Sequence, residues 1–254
     1  MYRLPFLLLL ACFSRLSNAQ QQSSKIKESW LNRPVPETDA KQQFANYDLS
    51  KLWTITNNQF VYGFIGDNYQ RIRIKFISVK KIDRLTYAVS GKTKVKDNIC
   101  NFKGTFNISA LSKLETTSFG VDDQYKKLGI KGQYHISGQY ILTEDSTQKN
   151  TGVFKGKFET SFYLDKNNKV HYDNIDLDAD GFANNEFTGT WNQYTPQKTK
   201  VCNWGDYRIP NSGNLDIGAG EFSPNEKYIK NGWLDIRDQY PSTPSKKPAA
   251  KWWQ

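Results

Sequence analysis

From Gln59 onward, apolar and polar residues alternate with a period of two, as in strands that bury one face. In IKGQYHISGQYIL, Ile130, Gly132, Tyr134, Ile136, Gly138, Tyr140 and Leu142 share one face; Lys131, Gln133, His135, Ser137 and Gln139 share the other. CNFKGTFNI repeats the scheme with Cys100, Phe102, Gly104, Phe106 and Ile108. So do FKGKFETSFYL (Phe154, Gly156, Phe158, Phe162), FTGTW (Phe187, Gly189, Trp191) and LTYAVSGKTKV (Leu85, Tyr87, Val89, Gly91). In YQRIRIKFISVKK, Ile72, Ile74 and Phe76 point inward, and Arg71, Arg73 and Lys75 point to water. About nine strands with short polar turns fit between Gln59 and Tyr194, and no convincing helix does. The pattern predicts an all-β, antiparallel up-and-down meander closing into a barrel, which would leave no exposed edge. A β-sandwich is the structural alternative, because alternation alone does not separate the two.

The strand glycines sharpen this picture. Each sits among large apolar residues on the face that should be buried, although glycine weakens a strand and leaves a gap in its packing. Glycine lets a strand coil sharply, as closure requires, and it makes room for a neighbouring aromatic ring or a ligand. Aromatic residues, 14% of the chain, supply such rings.

Outside the meander the pattern changes. The start, MYRLPFLLLLACFSRLSNAQ, has one arginine, an apolar run over 4–11 and the small-residue sequence Ser17-Asn18-Ala19. It reads as a secretory signal peptide over 1–19, cleaved before Gln20. A rival reading takes LLAC as a lipoprotein processing site that lipidates Cys12. The apolar run is too short for a membrane-spanning helix. Residues 20–57 read as a linker and a short helix N-capped by Thr38 and running to about Tyr47. Residues 58–238 form one barrel domain, of which 202–238, rich in Gly, Asn and Pro, is a loop-rich cap. The Pro-, Ser- and Lys-rich 239–254 reads as a disordered tail, with an anomalous Trp252-Trp253 pair free to dock on the body or a partner.

An N-terminal signal ending in NAQ, followed by a glycine-and-aromatic β-meander, resembles the uncharacterised secreted β-barrel proteins of Bacteroidetes. In architecture, residues 59–194 are similar to lipocalin-like calycins. The resemblance implies a lipocalin-like barrel. The calycin G-x-W signature is absent, since YDLSKLWTI supplies the tryptophan without the glycine, and no functional residue carries over.

Charge and cysteine content narrow the chemistry. The net charge is +10, falling to +8 once Arg3 and Arg15 leave with the signal. The lysines are scattered and the protein is expected to be secreted or periplasmic, so nucleic acid is a poor partner. Cleavage leaves Cys100 and Cys202, which in an exported protein are expected to form a disulfide. In the chain-entropy model such a bond stabilises the fold by roughly 4–5 kcal/mol.

The stretch DNIDLDADGFANNEF, 173–187, opens like a calcium loop, with Asp176, Asp178 and Asp180 at the first, third and fifth positions and Gly181 at the sixth. Phe187 stands where a bidentate Glu belongs. A strand reading accounts for more of it: Ile175, Leu177 and Ala179 alternate with the three aspartates, and Asp180-Gly181 marks a hairpin turn.

Recognition is expected from the C-terminal loops, where Trp204, Tyr207, Arg208, Asp216, Glu221 and Trp233 concentrate. The leading functional expectation is an exported binding protein holding a small apolar ligand or a glycan in or at the mouth of the barrel, without a cofactor. One alternative is a secreted glycan hydrolase using paired carboxylates such as Asp216 and Glu221, or Asp178 and Glu186. Another is a ligand-free interaction protein of the cell envelope.

Overall fold

Short polar turns join most successive strands of the meander, with longer connections over 115–131 and 165–183, and sequence neighbours pair in space. The computed structural model describes residues 37–237 and 251–254. The segments assigned to the signal peptide, Cys12, the first part of the linker and most of the tail lie outside them.

Eight antiparallel strands close into a barrel: β2 (Val61–Ile65), β3 (Gln70–Lys81), β4 (Thr86–Val95), β5 (Asn98–Leu114), β6 (Gly132–Glu144), β7 (Gly152–Leu164), β9 (Asn184–Gln193) and β10 (Thr199–Asp206). The strand β10 lies between β9 and β2 and completes the circle. Two short strands attach to this wall, β1 (Glu37–Asp39) at β5 and β8 (Val170–Tyr172) at β7. The periodicity had placed 202–206 in the loop-rich cap. Those residues are strand because Cys202, Trp204 and Asp206 point inward, and an aspartate at an inward position hides the alternation.

The inward glycines do what closure needs. A Cβ at Gly138 would lie 2.5 Å from both the Phe158 ring and the Asn107 carbonyl oxygen. Gly156 and Gly189 face each other across β7 and β9, so the two backbones approach where side chains would collide.

Rings fill the space inside. Phe187 stacks on Trp204, with centroids 4.7 Å apart and planes 9° from parallel. Phe76, Phe106, Tyr140 and Phe158 surround it with centroids 5.5–5.7 Å away.

One end of the barrel is closed by residues expected to form a linker and a short helix. Helix α1 (Lys41–Phe44) is a single turn; Ala40, not Thr38, is its N-cap, and Asp39 Oδ1 accepts from Lys41 N–H at 2.9 Å. Phe44 packs edge-on against Tyr134 and Phe162. Trp53, at the end of the 3-10 turn Ser50–Trp53, enters between Tyr87, Phe106 and Phe158 and donates its indole N–H to Thr160 Oγ1 at 2.9 Å. At the other end, the buried Glu144 carboxylate accepts from Thr93 Oγ1, Trp191 Nε1 and Gly152 N–H.

Residues 207–237 wrap the outside of the wall rather than covering a mouth. Outward Tyr62 and Phe64 of β2 are buried beneath Leu215, Phe222, Ile229, Trp233 and Ile236, a second small core outside the barrel. Trp233 donates to the Tyr69 carbonyl at 2.8 Å, and helix α2 (Leu234–Arg237) follows it.

The expected Cys100–Cys202 disulfide is not formed: both are buried free thiols. Three strands separate β5 from β10 in either direction round the barrel, so the two cysteines sit on opposite walls. Burial raises both thiols, Cys100 to about 11, which keeps them protonated.

Candidate functional site

The wall has one weak seam. Strand β2 pairs with β3 only at Phe64↔Arg71 and Ile65↔Gln70, whereas β3 runs on for ten more residues. Segment 54–60 lies alongside, and Asn58 Nδ2 donates to the Ile74 carbonyl at 2.7 Å in place of a strand partner.

Over this seam, on the outer face, is a cleft of about 400 Å³. Its floor is the outward side of β3, with Arg71, Arg73 and Lys75 at alternate positions. Segment 54–59 contributes hydroxyls and amides from Thr54, Thr56, Asn57, Asn58 and Gln59, interrupted by Ile55. Asp235 of α2 also lines the cleft, and Lys251, Trp252 and Trp253 complete the lining.

The C-terminal pair therefore docks on the body. Trp252 donates its indole N–H to Asn58 Oδ1 at 3.0 Å, and the Lys75 ammonium lies 5.5 Å from the Trp253 ring centroid. The expectation of a disordered tail fails at 251–254, because a cation-π contact and a hydrogen bond hold these residues.

Asp235 bridges Arg71 and Arg73; its second oxygen accepts from Arg73 at 2.9 Å. Arg71 is buried, also donates to the Gly232 carbonyl at 3.2 Å, and sits 5.3 Å from the Trp233 ring. Among the described residues its Nε has no acceptor. Burial lowers the Arg71 guanidinium to about 10, Asp235 partly opposing the shift, and lowers Lys75 against the attraction of Asp206.

Just inside the seam is a second cavity of about 20 Å³, sharing Thr56, Asn58 and Lys75 with the cleft. That is room for about one water. Asp206 faces it, accepting from Thr56 Oγ1 at 2.7 Å, Asn185 Nδ2 at 2.8 Å and the Tyr172 hydroxyl at 3.0 Å. Burial raises its carboxyl to about 6, against these three hydrogen bonds.

The six loop residues expected to bind a ligand do not converge on one cleft. Trp204 lies inside the barrel against Phe187, and Trp233 lies in the outer core. Tyr207 stacks on Phe60 with centroids 5.1 Å apart. Arg208 and Asp216 do meet, at 3.1 Å, and Arg208 also donates to the carbonyls of Gly218 and Glu221 at 2.9 Å. Asp216 further accepts from the N–H groups of Gly218 and Ser223. This pair holds the loop together. Glu221 is exposed.

The three aspartates diverge as well. Asp176 accepts from Ser118 Oγ at 2.7 Å and Asp178 from Gln124 Nε2 at 3.3 Å, while Asp180 lies beside Gly220. Among the described residues no three His, Cys, Asp or Glu side chains are placed to hold a metal. Nor is 175–180 a strand: Leu177, Ala179 and Phe182 N–H groups each bond back three residues, forming successive turns. Asp173 Oδ1 accepts from Ile175 N–H and starts them, the local bonding that lets Asp compete with a ladder. Gly181, with φ of +81°, does turn the chain, but no hairpin forms, because no strand immediately precedes it.

The adjacent carboxylates are instead Glu159 and Glu186, in register on β7 and β9. Burial and then the Glu159 charge raise Glu186 to about 7, and His135 Nε2 stands 3.9 Å from Glu159.

Compared with protein families, curated proteins and solved structures, the chain matches none.

Proposed function

We propose that this is an exported binding protein that holds a glycan in the cleft over the β2–β3 seam. The carrying observation is a contrast of spaces. The barrel interior is packed with rings and the cavity just inside the seam holds about 20 Å³, while the outer cleft offers about 400 Å³. A cleft of that size accommodates a small ligand. Indole faces cover the apolar faces of sugar rings, and the amides and hydroxyls of 54–59 match sugar hydroxyls. A small apolar ligand in the outer cleft would leave those polar groups unpaired.

Export is supported by the leader pattern of residues 1–19. Mass spectrometry of the protein from its native cell tests it: the expected mature chain begins at Gln20 and carries no lipid. A lipidated Cys12, or a cytoplasmic chain still beginning at Met1, contradicts simple secretion.

Binding is tested by calorimetry and tryptophan fluorescence with oligosaccharides, using the full mature chain and Trp253→Ala. Saturable binding that the substitution weakens is the expected result. Tighter binding of a neutral lipid-like probe, unaffected by Trp253→Ala, would contradict the assignment.

A further inference from the structure

We infer that the glycan received by the seam cleft is acidic, its carboxylate or sulfate group lying between Arg73 and Lys75 beneath the Trp253 ring. The inference rests on the reading of the cleft as a sugar site and adds the charge of the sugar.

Charge balance carries it. Arg71, Arg73 and Lys75 alternate along β3, so all three project from its outer face with neighbours roughly 6.5–7 Å apart. Lys251 brings a fourth cation to the lining, against the carboxylate of Asp235, the one acid among the described lining residues. Asp235 is already shared between Arg71 and Arg73. Lys75 has the Trp253 ring on the cleft side and Asp206 behind it, within the wall.

Burial makes that imbalance costly. A cation taken from water without a partner is destabilising; Arg71 and Arg73 share one carboxylate, and Lys75, with no direct ion pair among the described residues, is shifted toward its neutral form by burial. An acid group entering beside Arg73 and Lys75 supplies the absent charge and accepts charge-assisted hydrogen bonds. The indoles and the hydroxyls and amides of 54–59 hold the ring to which that group is attached. A neutral sugar would satisfy those groups and leave the cations uncompensated.

The test is a glycan array carrying uronate-containing, sulfated and neutral oligosaccharides, probed with the wild-type mature chain, Lys75→Gln and Lys80→Gln. Lys80 is an exposed lysine of the same strand, outside the cleft lining, and controls for loss of one positive charge. Binding confined to acidic members is expected, with Lys75→Gln weakening it on the order of tenfold or more and Lys80→Gln leaving it unchanged. It should also weaken as sodium chloride rises from about 0.1 to 1 M, as the screening length contracts. Uronates and sulfates compared on the same array show which acid group is used. Equal binding of neutral and acidic members, or an unaffected Lys75→Gln, overturns the acidic assignment and leaves the sugar site standing. No binding to any member overturns both.

Discussion

The barrel interior and the seam cleft are both lined with tryptophan, yet they are opposite kinds of space. Inside, Trp53 and Trp204 are locked among Phe106, Phe158, Phe187 and Tyr87, and the glycines let rings approach the backbone so closely that little volume is left. At the seam the ladder stops after two residue pairs, side chains replace backbone partners, and a polar, cationic hollow remains between them. The difference teaches that full backbone pairing and open space compete for the same wall. Where the backbone pairs fully, rings fill the barrel; where pairing lapses, a cleft opens.

The sharpest way to break this contrast is to empty the interior. Phe187→Ala removes the ring at the centre of the stack and should cost about 3–5 kcal/mol in urea unfolding. It should also create an apolar cavity, so benzene should raise the melting temperature of the variant and not that of the wild type. Benzene stabilising the wild type would show that the interior is already hollow.

The next effect concerns the carboxylate between the two spaces. The folded Asp206 carboxyl, at about 6, lies above its ordinary value of 3.8, so the folded chain keeps a proton that the unfolded chain has released. Its contribution to stability is complete below about pH 4 and is lost as pH rises through about 6. Asp206→Asn keeps an acceptor oxygen for Thr56, Asn185 and Tyr172 and removes the titration. Relative to wild type, the variant should gain roughly 2–3 kcal/mol between pH 4 and pH 7. A pH-independent difference would mean that Asp206 is not buried as described.

Gly138→Ala probes the wall itself. Its Cβ would meet the Phe158 ring and the Asn107 carbonyl, and the cost should be about 1–3 kcal/mol in urea unfolding. A neutral outcome would mean that the strand is not pressed against that ring. Smallest in stability is Trp253→Ala, which should change unfolding by less than about 0.5 kcal/mol while weakening glycan binding. Loss of stability with affinity intact would reverse the roles given to the two regions.

The meander was legible because one buried face writes itself into a sequence as alternation, and the inward glycines marked closure. The seam was not legible. It depends on where pairing between β2 and β3 stops, and nothing in VYGFI or QRIRIKF records that. Arg71, Arg73 and Lys75 read as solvated because their face is outward; only the fold shows 207–237 and 251–254 laid against it. The plug formed by Phe44, Leu49, Leu52 and Trp53 was hidden because short turns carry no period long enough to detect. In the acidic stretch the apolar residues did alternate, but side-chain bonds from Asp173 turned the backbone before a ladder could form. Arg208 and Asp216 were conspicuous in the sequence for a structural reason: they fasten the loop that carries them.

The placement of the ligand is tested most directly by the indole N–H resonances of the tryptophans, followed by NMR during titration with an oligosaccharide that the chain binds. The signals of Trp252 and Trp253 should move with the titration, while those of Trp53, Trp191 and Trp204 stay fixed. Movement of Trp53 or Trp204 with Trp252 and Trp253 unchanged would put the ligand inside the barrel and contradict the account.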